Sequence, residues 1–106
     1  MRILIAASAL LAALAALPAH AGDAAKGKDK ATVCGACHGP DGNSPTPDFP
    51  RLAGQQEDYL MKALQDYKAG KRKNPIMAAQ VEALSKADMA DLAAWFSSQE
   101  GLVVKR

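Results

Sequence analysis

The sequence predicts an all-α protein: three main helices and one short helix in a single small domain. Three observations carry this. Apolar residues recur at helical spacing in three separate stretches, near residues 24–34, 56–69 and 86–99. No stretch shows the period-two alternation of a half-buried strand, and no segment repeats. At 106 residues the chain has room for one domain and one modest core.

Residues 1–21 read as a secretory signal peptide rather than as part of that domain. Arg2 is a minimal basic start, Ile3 to Leu17 is apolar except for Ser8, and Ala19-His20-Ala21 is an A-x-A cleavage pattern. Cleavage is expected after Ala21. The alternative, a retained membrane anchor, needs about 20 apolar residues, and this run is shorter. The predicted mature domain is residues 22–106, and no second apolar run reaches spanning length. Without Arg2, 12 of the 13 Lys and Arg face 11 Asp and Glu, a balance of +1. That excludes a nucleic-acid-binding balance. The five aromatics are Phe49, Tyr59, Tyr67, Trp95 and Phe96, too few for a large core. A domain this small often leans on a metal, a disulfide or a cofactor.

Asp23 is placed to N-cap the first helix, predicted over Ala24 to Cys34. Gly27 interrupts it at a cost of about 1 kcal/mol relative to alanine, which suggests a second helix crossing closely there. Gly39 to Pro50 holds four of the six prolines and the turn residues Asp41-Gly42-Asn43-Ser44, and reads as an irregular loop. Gln56 to Ala69 is the clearest amphipathic helix. Tyr59, Leu60, Ala63, Leu64 and Tyr67 share its apolar face, and Gly70 stops it. Gly70 to Ile76 is a basic loop with Lys71, Arg72 and Lys73, followed by Met77 and a short helix over Ala78 to Leu84. Ser85 and Asp88 have the spacing of a capping box and open the last helix, which runs to about Gln99 with Met89, Leu92, Ala93 and Phe96 inward.

The chemistry sits in Cys34-Gly35-Ala36-Cys37-His38. A C-x-x-C-H run is the attachment pattern of a c-type haem: two thiols add to the vinyl groups and the adjacent imidazole binds the iron. A disulfide here would close a very short loop and constrain little of the unfolded chain. A thioredoxin-like dithiol lacks the βαβ setting, and zinc lacks a fourth soft ligand once His20 is removed. Covalent haem c, attached through Cys34 and Cys37 with His38 as one axial ligand, is the reading adopted.

The other axial position is open to methionine, lysine, water or nothing, since the mature chain has no second histidine. Met61 and Met89 fall inside predicted helices and read as core. Met77 follows a proline-bearing loop and is the predicted ligand, with an open site as the alternative. Pro50 is the candidate carbonyl acceptor for the His38 ring N–H. Arg51 is a candidate partner for a haem propionate. Tyr59 and Tyr67 are read as core first and as haem-pocket residues second.

With these parts in order, the mature chain resembles a class I c-type cytochrome. It is similar to small bacterial mono-haem cytochromes of the c553 kind and to one domain of a cytochrome c4. The resemblance runs through Gly22–Gly27, Cys34–Gly39 with Asp41-Gly42-Asn43, Phe49–Gln55, Asn74-Pro75-Ile76-Met77 and Leu84–Phe96. It implies the small cytochrome c fold wrapped around one haem, with the first and last helices crossing at Gly27 against Leu92 and Trp95. It also implies that Pro50 O accepts from His38 and that Met77 is the distal ligand. Two features depart from the pattern: there is one C-x-x-C-H motif where a cytochrome c4 has two, and Ala31 stands at a position often aromatic in the family.

The expected function is periplasmic electron transfer between transient redox partner proteins, not enzymatic catalysis, with neither nucleic acid nor membrane as partner after cleavage. Two alternatives keep the haem: an electron-accepting subunit of a periplasmic oxidoreductase, and an open-site ligand-binding or peroxidatic protein.

Overall fold

The computed structural model describes residues 22–102. The expected signal peptide and its cleavage site therefore lie outside the described residues, as does most of the C-terminal tail. Five helices follow in order: α1 (Ala24–Lys30), α2 (Thr32–His38), α3 (Glu57–Lys68), α4 (Pro75–Val81) and α5 (Lys86–Ser97). The described residues contain no strand. The last helix is the hub, with α1 and α3 packed on it and α4 on α3.

The predicted first helix is in fact two, and helical structure runs through the whole cysteine motif. Ala31 separates them while staying in the right-handed region, at φ −77° and ψ −5°. Its N–H is shared between Gly27 O (2.9 Å) and Lys28 O (3.3 Å), and Gly35 N bonds Ala31 O at 3.0 Å. The chain passes from α1 to α2 at Ala31 with that residue's N–H and C=O both hydrogen-bonded. The stop is Gly39, whose φ of +85° a side chain would resist.

The crossing of α1 and α5 is close. A Cβ on Gly27 would lie 2.0 Å from Asp91 O and 2.8 Å from Trp95 Cβ, so only glycine fits. Ala31 is 3% exposed and joins Leu60, Leu92, Ala93 and Phe96 in the core, with Trp95 packed at its margin.

Charge ties the same two helices. Asp91 accepts from the Asp23 backbone N–H (2.8 Å) and from Lys30 Nζ (2.6 Å), and Lys30 also pairs with Asp88 at 2.8 Å. The Asp23 N–H and then Lys30 hold the Asp91 carboxyl below its ordinary range. Lys30, with help from Ser85, holds Asp88 down to about 2. The Ser85–Asp88 capping box forms as predicted.

Two other expectations are corrected. Tyr59 is not core: it is 52% exposed, whereas Leu60 beside it is 6% exposed. Successive helical residues are turned by about 100°, and Leu60 is the one α3 directs at α5. The short helix begins at Pro75 rather than Ala78, and ends at Val81. Asn74 is its N-cap, accepting from Ile76 N (3.0 Å) and Met77 N (3.2 Å), and Pro75 occupies the first helical position. That pair of residues is itself a helix-start signal. Met77 therefore sits in the first turn of α4, not in a loop.

Candidate haem-attachment site

Three and four residues apart on α2, Cys34, Cys37 and His38 share one side of a helix. Both thiols are free and half-buried. Burial pushes the Cys34 thiol above its ordinary value. His38 is 7% exposed, with Nδ1 2.9 Å from Pro50 O. A carbonyl oxygen can only accept, so Nδ1 is the donor and carries the proton. The lone pair is therefore on Nε2, the form an iron-binding imidazole needs.

The loop that delivers Pro50 is held by backbone bonds. Leu52 N and Ala53 N both donate to Gly42 O, at 2.8 and 3.2 Å, and Gly42 N donates to Gly39 O at 3.1 Å. A Cβ on Gly42 would meet Ala53 N and Phe96 Cδ1, each at 2.8 Å. Asn43 closes the other end: its side chain donates to Asp41 (3.0 Å) and to Glu100 O (2.8 Å). The Asn43 amide also lowers the Asp41 carboxyl below its ordinary value. Phe49 meets the His38 ring edge-on, with centroids 6.4 Å apart.

The structure brings Cys34, Cys37, His38 and Pro50 together. Met77 is half-buried on α4. Arg51 is exposed. Tyr67 is half-buried, its ring under the Arg72 guanidinium at 4.5 Å. Met89 is core, at 4% exposure, and Met61 packs against the core, as read from sequence.

The donor set fits a covalent haem: two free thiols and an imidazole presented from one helix, the imidazole already oriented by its second nitrogen. Half-buried Leu52, Met61 and Leu64 beside the core add apolar surface of the kind a macrocycle covers. Among the described residues no group of three His, Cys, Asp or Glu side chains is arranged to hold a metal ion. Sequence reasoning missed the Lys30–Asp88–Asp91 clamp and the Asn43 bond to Glu100 O. Neither has a local signal, since the partners lie 57 or more residues apart.

Comparison with known proteins identifies the family. The cytochrome c family profile matches residues 24–100. The chain is 56% identical to cytochrome c4 of Pseudomonas aeruginosa over 87 residues, covering 82% of this chain and 43% of that protein. It is 46% identical to cytochrome c-554(548) of Halomonas halodenitrificans over 83 residues, 76% of this chain and all of that one. The crystal structure of reduced recombinant cytochrome c4 from Pseudomonas stutzeri superposes with a TM-score of 0.74 at 54% identity, covering 78% of this chain and 48% of that one. The chain thus spans about half the length of the cytochrome c4 relatives it matches. Members of the family carry covalently bound haem c. A motif on a helix, an imidazole oriented by a proline carbonyl and a family match across both lead to one assignment: the chain belongs to the cytochrome c family as a class I, cytochrome c4-type domain.

Proposed function

We propose that this protein is a periplasmic single-electron carrier, with one haem c joined to Cys34 and Cys37 and the iron held between His38 and Met77. The observation that carries the reading is the 2.9 Å contact from His38 Nδ1 to Pro50 O, which fixes the imidazole and leaves Nε2 free to ligate. When bound, the haem supplies a one-electron ferrous/ferric couple whose potential responds to its axial pair and burial. The chain's own residues hold and insulate it. Pro50 keeps the His38 ring in one orientation and one tautomer. Asn74 fixes the first turn of α4, which presents Met77. Leu52, Met61 and Leu64, half-buried beside the core, would offer the haem apolar surface. Were His38 and Met77 both to hold the iron, no coordination position would be left for a substrate, and this separates a carrier from a catalyst.

Export rests on residues 1–21, whose A-x-A pattern precedes Gly22. Among the described residues no helix is long and apolar enough to cross a membrane. The partners are transient redox proteins.

The test is a visible and near-infrared spectrum of the exported protein with a redox titration, repeated on Met77→Ala. The reading expects a weak sulfur-to-iron band that the substitution removes, together with a lower potential. A spectrum and potential untouched by Met77→Ala would overturn the assignment of Met77. Ready carbon monoxide binding by the intact ferrous protein would favour an open-site haem instead.

A further inference from the structure

His38 is oriented by a loop whose hold on the protein lies at its two ends. Pro45 to Arg51 are all exposed. Among the described residues, the hydrogen bond that Pro47 to Arg51 make is the one from His38 Nδ1 to Pro50 O. The position of that carbonyl is therefore set by where the loop begins and where it ends.

Both ends rest on the end of α5 and the chain that follows it. At the near end the Asn43 side chain donates to Glu100 O at 2.8 Å and to Asp41 Oδ2 at 3.0 Å. Both donors of the amide are thus in use, which fixes its plane. Asp41 Oδ1 accepts the Asn43 backbone N–H, also at 3.0 Å. At the far end Gly54 N donates to Phe96 O (3.0 Å), and Ala53 O accepts from Leu102 N (2.8 Å). Ala53 is fully buried. Gly42 O joins the two ends by taking Leu52 N and Ala53 N. Gly101 lets the C-terminal segment close on both: a Cβ there would collide with Asn43 Oδ1 and lie 2.8 Å from Ala53 Cβ. Among these ties to the C-terminal segment, the one to Glu100 O is made by a side chain, so a substitution removes it and leaves the backbone pairing in place.

We infer that Asn43 is a positioning residue for the axial imidazole: by tying the Pro50 loop to Glu100 O it holds the Pro50 carbonyl on His38 Nδ1 and so sets the donor strength of Nε2. The inference rests on the carrier reading, in which His38 binds the iron. It goes beyond that reading by assigning control of the ligand to a residue that makes no hydrogen bond to the imidazole itself. An imidazole that donates through Nδ1–H is more basic at Nε2 and favours the ferric state. A slack loop weakens that donation and raises the potential. Truncating Asn43 removes no charge, so the shift has no direct electrostatic source.

The test compares the haem-loaded parent with three variants. Asn43→Ala removes the tie, Gly101→Ala pushes the same contact apart from the opposite side, and Ser85→Ala loosens the other end of α5. Redox titration gives each midpoint potential, and thermal unfolding gives each stability. Proton NMR of the ferric state follows exchange of the His38 ring N–H into deuterium oxide. Asn43→Ala and Gly101→Ala are expected to raise the potential and to speed that exchange about two- to tenfold, the change in local opening that one hydrogen bond controls. Ser85→Ala is expected to lose stability with both other readouts unmoved. A less stable Asn43→Ala with the parent's potential and exchange rate overturns the inference and leaves Asn43 a structural brace. So does a Ser85→Ala that moves the potential as far as Asn43→Ala does. If Gly101→Ala takes up no haem, Asn43→Ala decides alone. The carrier reading is tested separately, in the parent. A missing one-electron couple there, or a His38 ring proton that the ferric iron does not shift, removes that reading and this inference with it.

Discussion

Replacing Gly27 by alanine opposes two effects of known sign. Alanine is the better helix former, which favours the variant by about 1 kcal/mol. Against that, the added Cβ would sit 2.0 Å from Asp91 O, 2.6 Å from Asp91 C and 2.8 Å from Trp95 Cβ. Two of these neighbours are backbone of α5, and none is the free end of a flexible side chain. To reach ordinary contact, α1 and α5 must part by roughly 1.5 Å, which loosens every dispersion contact between them. Overpacking of this kind costs about 1–3 kcal/mol, and more where the backbone must move. Taking about 3 kcal/mol, the net loss is about 2 kcal/mol. For a domain of this size that is a fall in Tm of roughly 10 °C. The assay is thermal unfolding of the haem-loaded protein by far-UV circular dichroism. Gly70→Ala is the control: nothing lies within 4 Å of its added Cβ, and only its φ of +77° resists, at about 1 kcal/mol. If Gly27→Ala is as stable as the parent, the backbone contact between α1 and α5 is wrong.

Three further outcomes are expected. Ser85→Ala removes the acceptor of the Asp88 N–H and should cost about 1 kcal/mol, read as a lower urea midpoint with an unchanged m-value. Asn74→Ala leaves the Ile76 and Met77 N–H groups uncapped and should destabilise α4 by about 1 kcal/mol. Its readout is earlier loss of the sulfur-to-iron band on heating, and a band as heat-stable as the parent's would count against α4 as the support of Met77. Folding lowers the carboxyls of Asp88, to about 2, and of Asp91. Their stabilisation is therefore present above the unfolded value near 4 and lost as pH falls toward about 2. The urea midpoint should drop across that window, and Asp88→Asn with Asp91→Asn should flatten the drop; an unchanged acid slope would refute the clamp.

How much of this was legible in the sequence depended on how local each signal is. The C-x-x-C-H run, the Ser85–Asp88 box and the stripe of α3 each express themselves within a turn or two of helix, so reading them needs only a periodicity and the chemistry of adjacent groups. Asn74-Pro75 is equally local: an N-cap residue followed by proline is a helix start, and it places Met77 in the first turn of α4. Tyr59 was misplaced for another reason. A stripe about 100° wide defines a face of a helix, but not which edge of that face meets a neighbour, and α5 covers Leu60 rather than Tyr59.

The sequence by itself determined the cofactor chemistry, the helical class and the caps at Asp23 and Ser85, because covalent attachment, capping and periodicity are written in residues close along the chain. Only the tertiary structure decided that Asp91 receives both the Asp23 N–H and Lys30, across separations of 68 and 61 residues. It likewise placed Asp91 O against Gly27, and brought the Pro50 carbonyl, from sequence only a candidate acceptor, to 2.9 Å from the His38 ring nitrogen. Such contacts depend on where whole helices come to rest. That is settled by the burial of Leu92, Phe96 and their neighbours together, and no short stretch of sequence encodes it alone.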